Sequence, residues 1–236
     1  PVIVAVCIAT AFFFPFVGVL IYLIARGDGM PDLPVLVLPA EFETVMLAVP
    51  RFPETRPYQA LPVQWSNHIE QDRGDVVHHE YLHGEGTDPR KQLAEALLES
   101  LGSKGSICVY SPYEKSVIEQ LAEALPLLRT ALQALVRRIW DLHPIVRDHY
   151  YHPHFDGSYS LKEVLPALVP SMGYDDLAIK EGAHAASQYY RMVFVETDWV
   201  ERDKIQEALL AYCKRDTLAM VELRRALMEK AQMKGE

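Results

Sequence analysis

The apolar positions of this chain change period several times, and each change marks an element. Val2 to Ala25 carries no charged residue. At about 1.5 Å rise per residue, a helix of that length spans the roughly 30 Å hydrocarbon core of a bilayer. Pro15 would kink it, which bilayer helices tolerate. Arg26 follows directly, and the positive-inside bias places what comes after it in the cytoplasm. Residues 1–26 therefore read as a hydrophobic, transmembrane helix, with residues 2–25 anchoring a cytoplasmic domain to the inner face of the cell membrane. The competing readings are a cleaved signal peptide, which lacks its basic start, and a buried core helix. Residues 27–34, with two glycines and two prolines, read as a linker.

Beyond the linker the pattern becomes that of strands. Pro34 to Ala40 is an apolar run broken only by Pro39. Leu61 to Ile69 alternates, with Val63, Trp65 and Asn67 on one face. Asp72-Arg73-Gly74-Asp75 reads as a turn, and Val76 to Leu82 as a returning strand, which makes an antiparallel meander. Helical periodicity then takes over. Asp88 caps a helix with Pro89 in its first turn, Leu93, Leu97 and Leu101 line its stripe, and Gly102 ends it. Ser106 to Tyr110 is a short strand. A second helix opens near Pro112, and helix continues to Trp140. Trp199 to Lys230 reads as helix almost throughout. The expected domain covers residues 35–230, with 231–236 as a tail. A three-strand meander followed by alternating helices and parallel strands, flanked by helices, is the order of a ribonuclease H-like α/β fold with a mixed central sheet.

Composition narrows the choice. The chain has 236 residues, 50% of them hydrophobic, which suffices for a packed core. A net charge of −9 argues against a broad basic surface for gripping phosphates, yet a carboxylate cluster that holds metal ions is itself acidic. The three cysteines, Cys7, Cys108 and Cys213, lie far apart. That spacing fits a reducing cytoplasm and no thiolate zinc site.

Three places carry candidate chemistry. In Glu41-Phe42-Glu43-Thr44, strand alternation points both glutamates one way and Phe42 the other. Two carboxylates side by side repel each other, and a divalent cation would relieve them. The bland alternative is a solvated strand end. Glu114, in Ser111-Pro112-Tyr113-Glu114, stands where a strand passes into a helix and can face the open end of the sheet. It can equally be a helix-start glutamate favoured by the dipole. Tyr212 and Asp216 are four apart and share a helix face beside apolar residues. His149-x-x-His152-x-His154 invites a zinc reading, but no fourth ligand is evident. His78 and His79, neighbours on a strand, point to opposite faces. Trp65, Trp140 and Trp199 read as packing residues.

Taken together, Glu41-x-Glu43-Thr44, Tyr113-Glu114 and Tyr212-x-x-x-Asp216 resemble the three motifs of the DEDD (DnaQ-like) 3′–5′ exonuclease superfamily, in its tyrosine subgroup. Asp141-Leu142-His143-Pro144-Ile145-Val146-Arg147, Ser158-Tyr159-Ser160-Leu161-Lys162, Arg56-Pro57-Tyr58-Gln59 and Tyr212-Cys213-Lys214-Arg215-Asp216 bring the chain closer still. They look like a bacterial domain family of unknown function found in RecB-like nuclease proteins. The resemblance implies two Mg²⁺ or Mn²⁺ ions held by Glu41, Glu43, Glu114 and Asp216, with Tyr212 positioning the attacking water. Thr44, Arg56, Tyr58, Arg147 and Lys162 would contact substrate, single-stranded DNA or RNA ends. The superfamily has aspartate where this chain has Glu41 and, mostly, where it has Glu114. The alternative is a catalytically degenerate nucleic-acid-binding or interaction module. Separately, Phe16 to Gly27 resembles the membrane segment of small bacterial proteins with a phospholipase D-nuclease amino-terminal domain, or marks a foreign amino terminus joined to this domain.

Overall fold

A computed structural model describes residues 35–71 and 75–233 of the chain. The expected membrane helix, the linker, the turn at residues 72–74 and the last residues of the tail lie outside the described residues. Among the described residues, no helix is long and apolar enough to cross a membrane.

Five strands form one sheet in the order β3-β2-β1-β4-β5. The strands are β1 (Val35–Met46), β2 (Ala60–Gln71), β3 (Val76–Leu82), β4 (Ser106–Val109) and β5 (Ile139–Asp141). The first three pair antiparallel, β1 with β2 across a thirteen-residue loop and β2 with β3 across four residues, whereas β1 with β4 and β4 with β5 are parallel. Helix α1 (Arg90–Leu101) makes one crossover; α2 (Tyr113–Ala124) and α3 (Arg129–Val136) make the next. Between β5 and the end lie α4 (His143–His149), α5 (Leu161–Leu168), α6 (Gly182–Phe194) and α7 (Trp199–Met233). The hydrophobic pattern of the sequence does not announce α4, α5 and α6.

The sheet separates two apolar layers. On one face Phe42, Trp65 and Ile107 pack with Leu93 and Leu97 of α1 and Leu121 of α2. Burying each such leucine contributes about 2 kcal/mol. Trp65 also donates its indole N–H to the Leu93 carbonyl at 3.2 Å. On the other face Val45, Leu61 and Val63 meet Tyr189 of α6 and Leu209 of α7. His78 and His79 do point apart: His78 Nε2 meets Ser66 Oγ at 2.9 Å, and His79 Nδ1 meets Ser100 Oγ of α1 at 2.8 Å.

Three sequence expectations need correction. Val63 does not share a face with Trp65 and Asn67. It packs with Leu61, while Trp65 joins the α1 layer and Asn67 donates to Ser100 Oγ at 2.9 Å. The cause is a register shift opposite Glu43 and Thr44. Trp140 lies on β5, because helix stops at Val136 and a three-residue strand is too short to set up a period. Trp199 is 72% exposed, at the start of α7.

Candidate functional site

Two bulges bracket the glutamates of β1. Leu38 pairs with His68 and Glu41 with Ser66, so Pro39 and Ala40 together stand against Asn67. Proline cannot donate to the ladder, and an extra residue absorbs the gap. On the other side, partners step from Gln64 at Glu43 to Pro62 at Thr44, which makes Val63 the extra residue of β2. Between the bulges strict alternation holds. Phe42 enters the core, 3% exposed, and Glu41 and Glu43 turn toward α6 and α7. A Cβ at Gly182, the first residue of α6, would sit 3.8 Å from Glu43 Oε2.

Glu114 comes from the turn after β4. Ser111 Oγ accepts the Tyr113 N–H at 3.1 Å and donates to Glu114 Oε2 at 2.8 Å. Ser111, one residue before the Pro112 N-cap, thereby holds the glutamate in a buried first turn of α2. Thr44 Oγ1 and the Tyr113 hydroxyl lie 2.7 Å apart, tying β1 to that turn. Asp216 and Tyr212 come from α7, both 4% exposed. Lys162 comes from α5. Its ammonium donates to the Lys180 carbonyl at 2.5 Å and the Tyr212 hydroxyl at 3.4 Å, and lies 5.4 Å from the ring centroids of both Tyr174 and Tyr212.

The electrostatics follow from burial and crowding. Burial pushes the Glu41 carboxyl well above the usual range, and Asp216, Glu114 and Glu43 push it further, while Lys162 opposes them. Burial and Asp216 raise Glu43 to about 8 against the pull of Lys162. Burial raises Glu114 to about 7; its own backbone N–H and Ser111 resist, and Asp141 adds to the rise. Burial also raises Asp216, held back by the hydroxyls of Tyr174 and Tyr212 and by Lys162 and Arg215. Tyr212 is shifted upward, chiefly by burial and Asp216, so its hydroxyl stays protonated at neutral pH.

The remaining expected residues fall elsewhere. Arg56 and Tyr58 lie on an exposed loop, where Arg56 N–H reaches Gln59 Oε1 at 3.0 Å and Tyr58 N–H reaches the Leu47 carbonyl at 2.8 Å. Arg147 is exposed and forks onto Asp148 at 2.7 and 3.0 Å. Sequence reasoning passed over Tyr174, which sits between two apolar clusters, and Asp141, the last residue of β5. Asp141 did carry a signal, since it heads the Asp-Leu-His-Pro segment; Tyr174 carried none.

Among the described residues, no three histidine, cysteine, aspartate or glutamate groups form a ready coordination sphere, and this includes the histidines of 149–154. His154 N–H is instead accepted by His152 Nδ1 at 3.3 Å. The chemistry of the donor set still suits a hard cation. Four carboxylates crowd together, three of them buried, and their charged forms are disfavoured by the protein alone.

A family model described as a domain of unknown function, DUF2779, matches residues 40–160. That span holds Glu41, Glu43, Glu114 and Asp141 and stops short of Lys162, Tyr174, Tyr212 and Asp216. No curated protein and no solved structure matches the chain.

Proposed function

The chain belongs to the DUF2779 family, and on that premise we propose that it is a metal-dependent nuclease of the DEDD 3′–5′ exonuclease kind on a ribonuclease H-like fold. One observation carries this reading. Glu43, Glu114 and Asp216, from three separate parts of the chain, all lie within electrostatic range of Glu41, beside the carboxyl ends of the parallel strands. The strand order supports it, being a meander extended by two parallel strands. Proteins do not gather unpaired carboxylates without a partner for them, because each buried charge must be compensated.

In this reading Glu41, Glu43 and Asp216 hold two Mg²⁺ or Mn²⁺ ions, with Glu114 contributing. The ions would stabilise the attacking and leaving oxygens of a phosphodiester. Tyr212, its hydroxyl protonated and one turn before Asp216, orients the attacking water. Lys162, a cation at the cluster, meets the substrate phosphate, and Thr44 steadies β1 against α2. Substrate ends are single-stranded DNA or RNA. Arg56, Tyr58 and Arg147, outside the cluster, would touch more distant nucleotides.

A degenerate module that binds nucleic acid without cutting it is the second reading. The glutamate at position 41 and the lack of a ready coordination sphere among the described residues favour it. Calorimetry with Mn²⁺ and degradation of end-labelled single strands decide between them. On the nuclease reading the protein binds Mn²⁺ and shortens strands from the end, and Asp216→Asn abolishes both. Absence of Mn²⁺ binding at millimolar concentration would overturn it.

A further inference from the structure

One residue after Asp216, a string of buried polar side chains fastens α7 to the sheet. The Thr217 hydroxyl donates to the Lys214 carbonyl one turn back, at 3.1 Å. With that proton committed, Thr217 Oγ1 accepts from Ser66 Oγ at 2.9 Å and from His68 Nδ1 at 2.8 Å, both on β2. Ser66, its own proton spent, accepts from His78 Nε2 of β3 at 2.9 Å. The two imidazoles lie against each other, with 4.7 Å between ring centroids. Ser66, His68 and Thr217 are all buried. A buried string whose hydroxyls are satisfied specifies one arrangement of its members and penalises any slip between them.

Its place in the fold gives the string a second consequence. Ser66 is the cross-strand partner of Glu41, so the two side chains leave the sheet on one face as neighbours. Asp216 and Thr217 are likewise neighbours on α7, about 100° apart around its axis. A helix that docks Thr217 on Ser66 and His68 therefore turns Asp216 toward Glu41, which feels its charge. The apolar contacts of α7 carry no direction and leave its rotation softer than these bonds do.

We infer that Thr217 and His68 are positioning residues of the proposed metal site. Their hydrogen bond sets the rotation of α7 and so holds the Asp216 carboxylate where it can share a cation with Glu41. The inference rests on the nuclease reading and extends it to two residues that touch neither metal nor substrate.

The test measures Mn²⁺ affinity by calorimetry, and melting in EDTA, for wild type and two pairs of variants. Thr217→Val and His68→Leu each remove one partner of the bond. Thr217→Ser keeps the hydroxyl, and His68→Asn keeps an N–H donor near the position of Nδ1. The two removals should weaken Mn²⁺ binding about tenfold, as loss of an outer partner does at metal sites, while serine and asparagine stay within about twofold of wild type. Both removals should also melt lower, so the affinity and its rescue decide the matter. Unchanged affinity in Thr217→Val and His68→Leu, whatever their melting, would overturn the positioning role and leave the nuclease reading standing. Equal weakening in both members of each pair would overturn it too, tracing the effect to packing instead of the bond. Should Thr217→Val fail to fold, the His68 pair reads the same bond from β2 with α7 unaltered. A wild type that binds no Mn²⁺ at millimolar concentration would overturn the positioning role together with the nuclease reading.

Discussion

Ser111 Oγ donates to Glu114 Oε2 at 2.8 Å, so the residue that ends the β4 turn also aims the carboxylate that follows it. The bond is worth most when Glu114 is ionised, since hydrogen bonds to charged groups are the stronger ones. Ser111→Ala should destabilise the protein by about 1–2 kcal/mol and raise the Glu114 pKa. Urea unfolding at pH 5 and at pH 8.5 checks this, with the larger loss expected at the higher pH. Equal losses at both would mean that Ser111 matters only through the bond it accepts from the Tyr113 N–H.

Without metal, stability should fall as pH rises. Glu43 and Glu114 reach about 8 and 7 in the folded protein, above the ordinary glutamate value of 4.5. Between that value and the folded ones, the folded chain keeps protons that the unfolded chain has released. The stabilisation is thus whole below about pH 4.5 and is lost as pH climbs through the folded values. Melting in EDTA should drop on the order of 5 °C from pH 5 to pH 9 through these groups. Glu43→Gln should flatten the decline, and Mn²⁺ at pH 9 should reverse it. A melting temperature that rises steadily over the same range would contradict the assignment.

Glu41→Asp should weaken the site. The bulge at Pro39 and Ala40 sets the backbone from which the longer side chain reaches Asp216 and Glu43. Shortening it withdraws the carboxyl by about one carbon–carbon bond, a displacement that can lower a rate about 10²-fold. Mn²⁺ affinity and strand degradation should both fall. A gain in either would mean that aspartate is the residue this backbone suits.

Much of this arrangement was legible before folding because its causes are local. Alternation alone puts Glu41 and Glu43 on one side of a strand with Phe42 opposite, and helical spacing alone aligns Tyr212 with Asp216. The four residues between β2 and β3 leave little choice but an antiparallel pair, whereas the thirteen between β1 and β2 do not dictate theirs. What was hidden depends on distant parts of the chain. Lys162, Tyr174 and Tyr212 are brought together from three segments whose periodicity gives no sign of the meeting. Arg138 reaches the carbonyls of Leu101, Gly102, Lys104 and Gly105 and so fixes the entry to β4, which its neighbours in sequence do not foretell. Val63 misled for a related reason. A bulge follows from how two strands meet, and nothing in Pro62-Val63-Gln64 announces it.

The paired bulges carry a consequence for how this domain can vary. A strand offers each side chain two directions and nothing between. Removing Phe42 would not nudge the carboxylates but would set Glu41 and Glu43 side by side and so on opposite faces, whereas removing Ala40 would only close the bulge against Asn67. Substitutions can tune the reach of the acids, as glutamate for aspartate does, but length changes between the two acids act like a switch with two positions. Insertions and deletions should therefore cluster in the loop from Pro50 to Gln59 and leave residues 41–43 at fixed length.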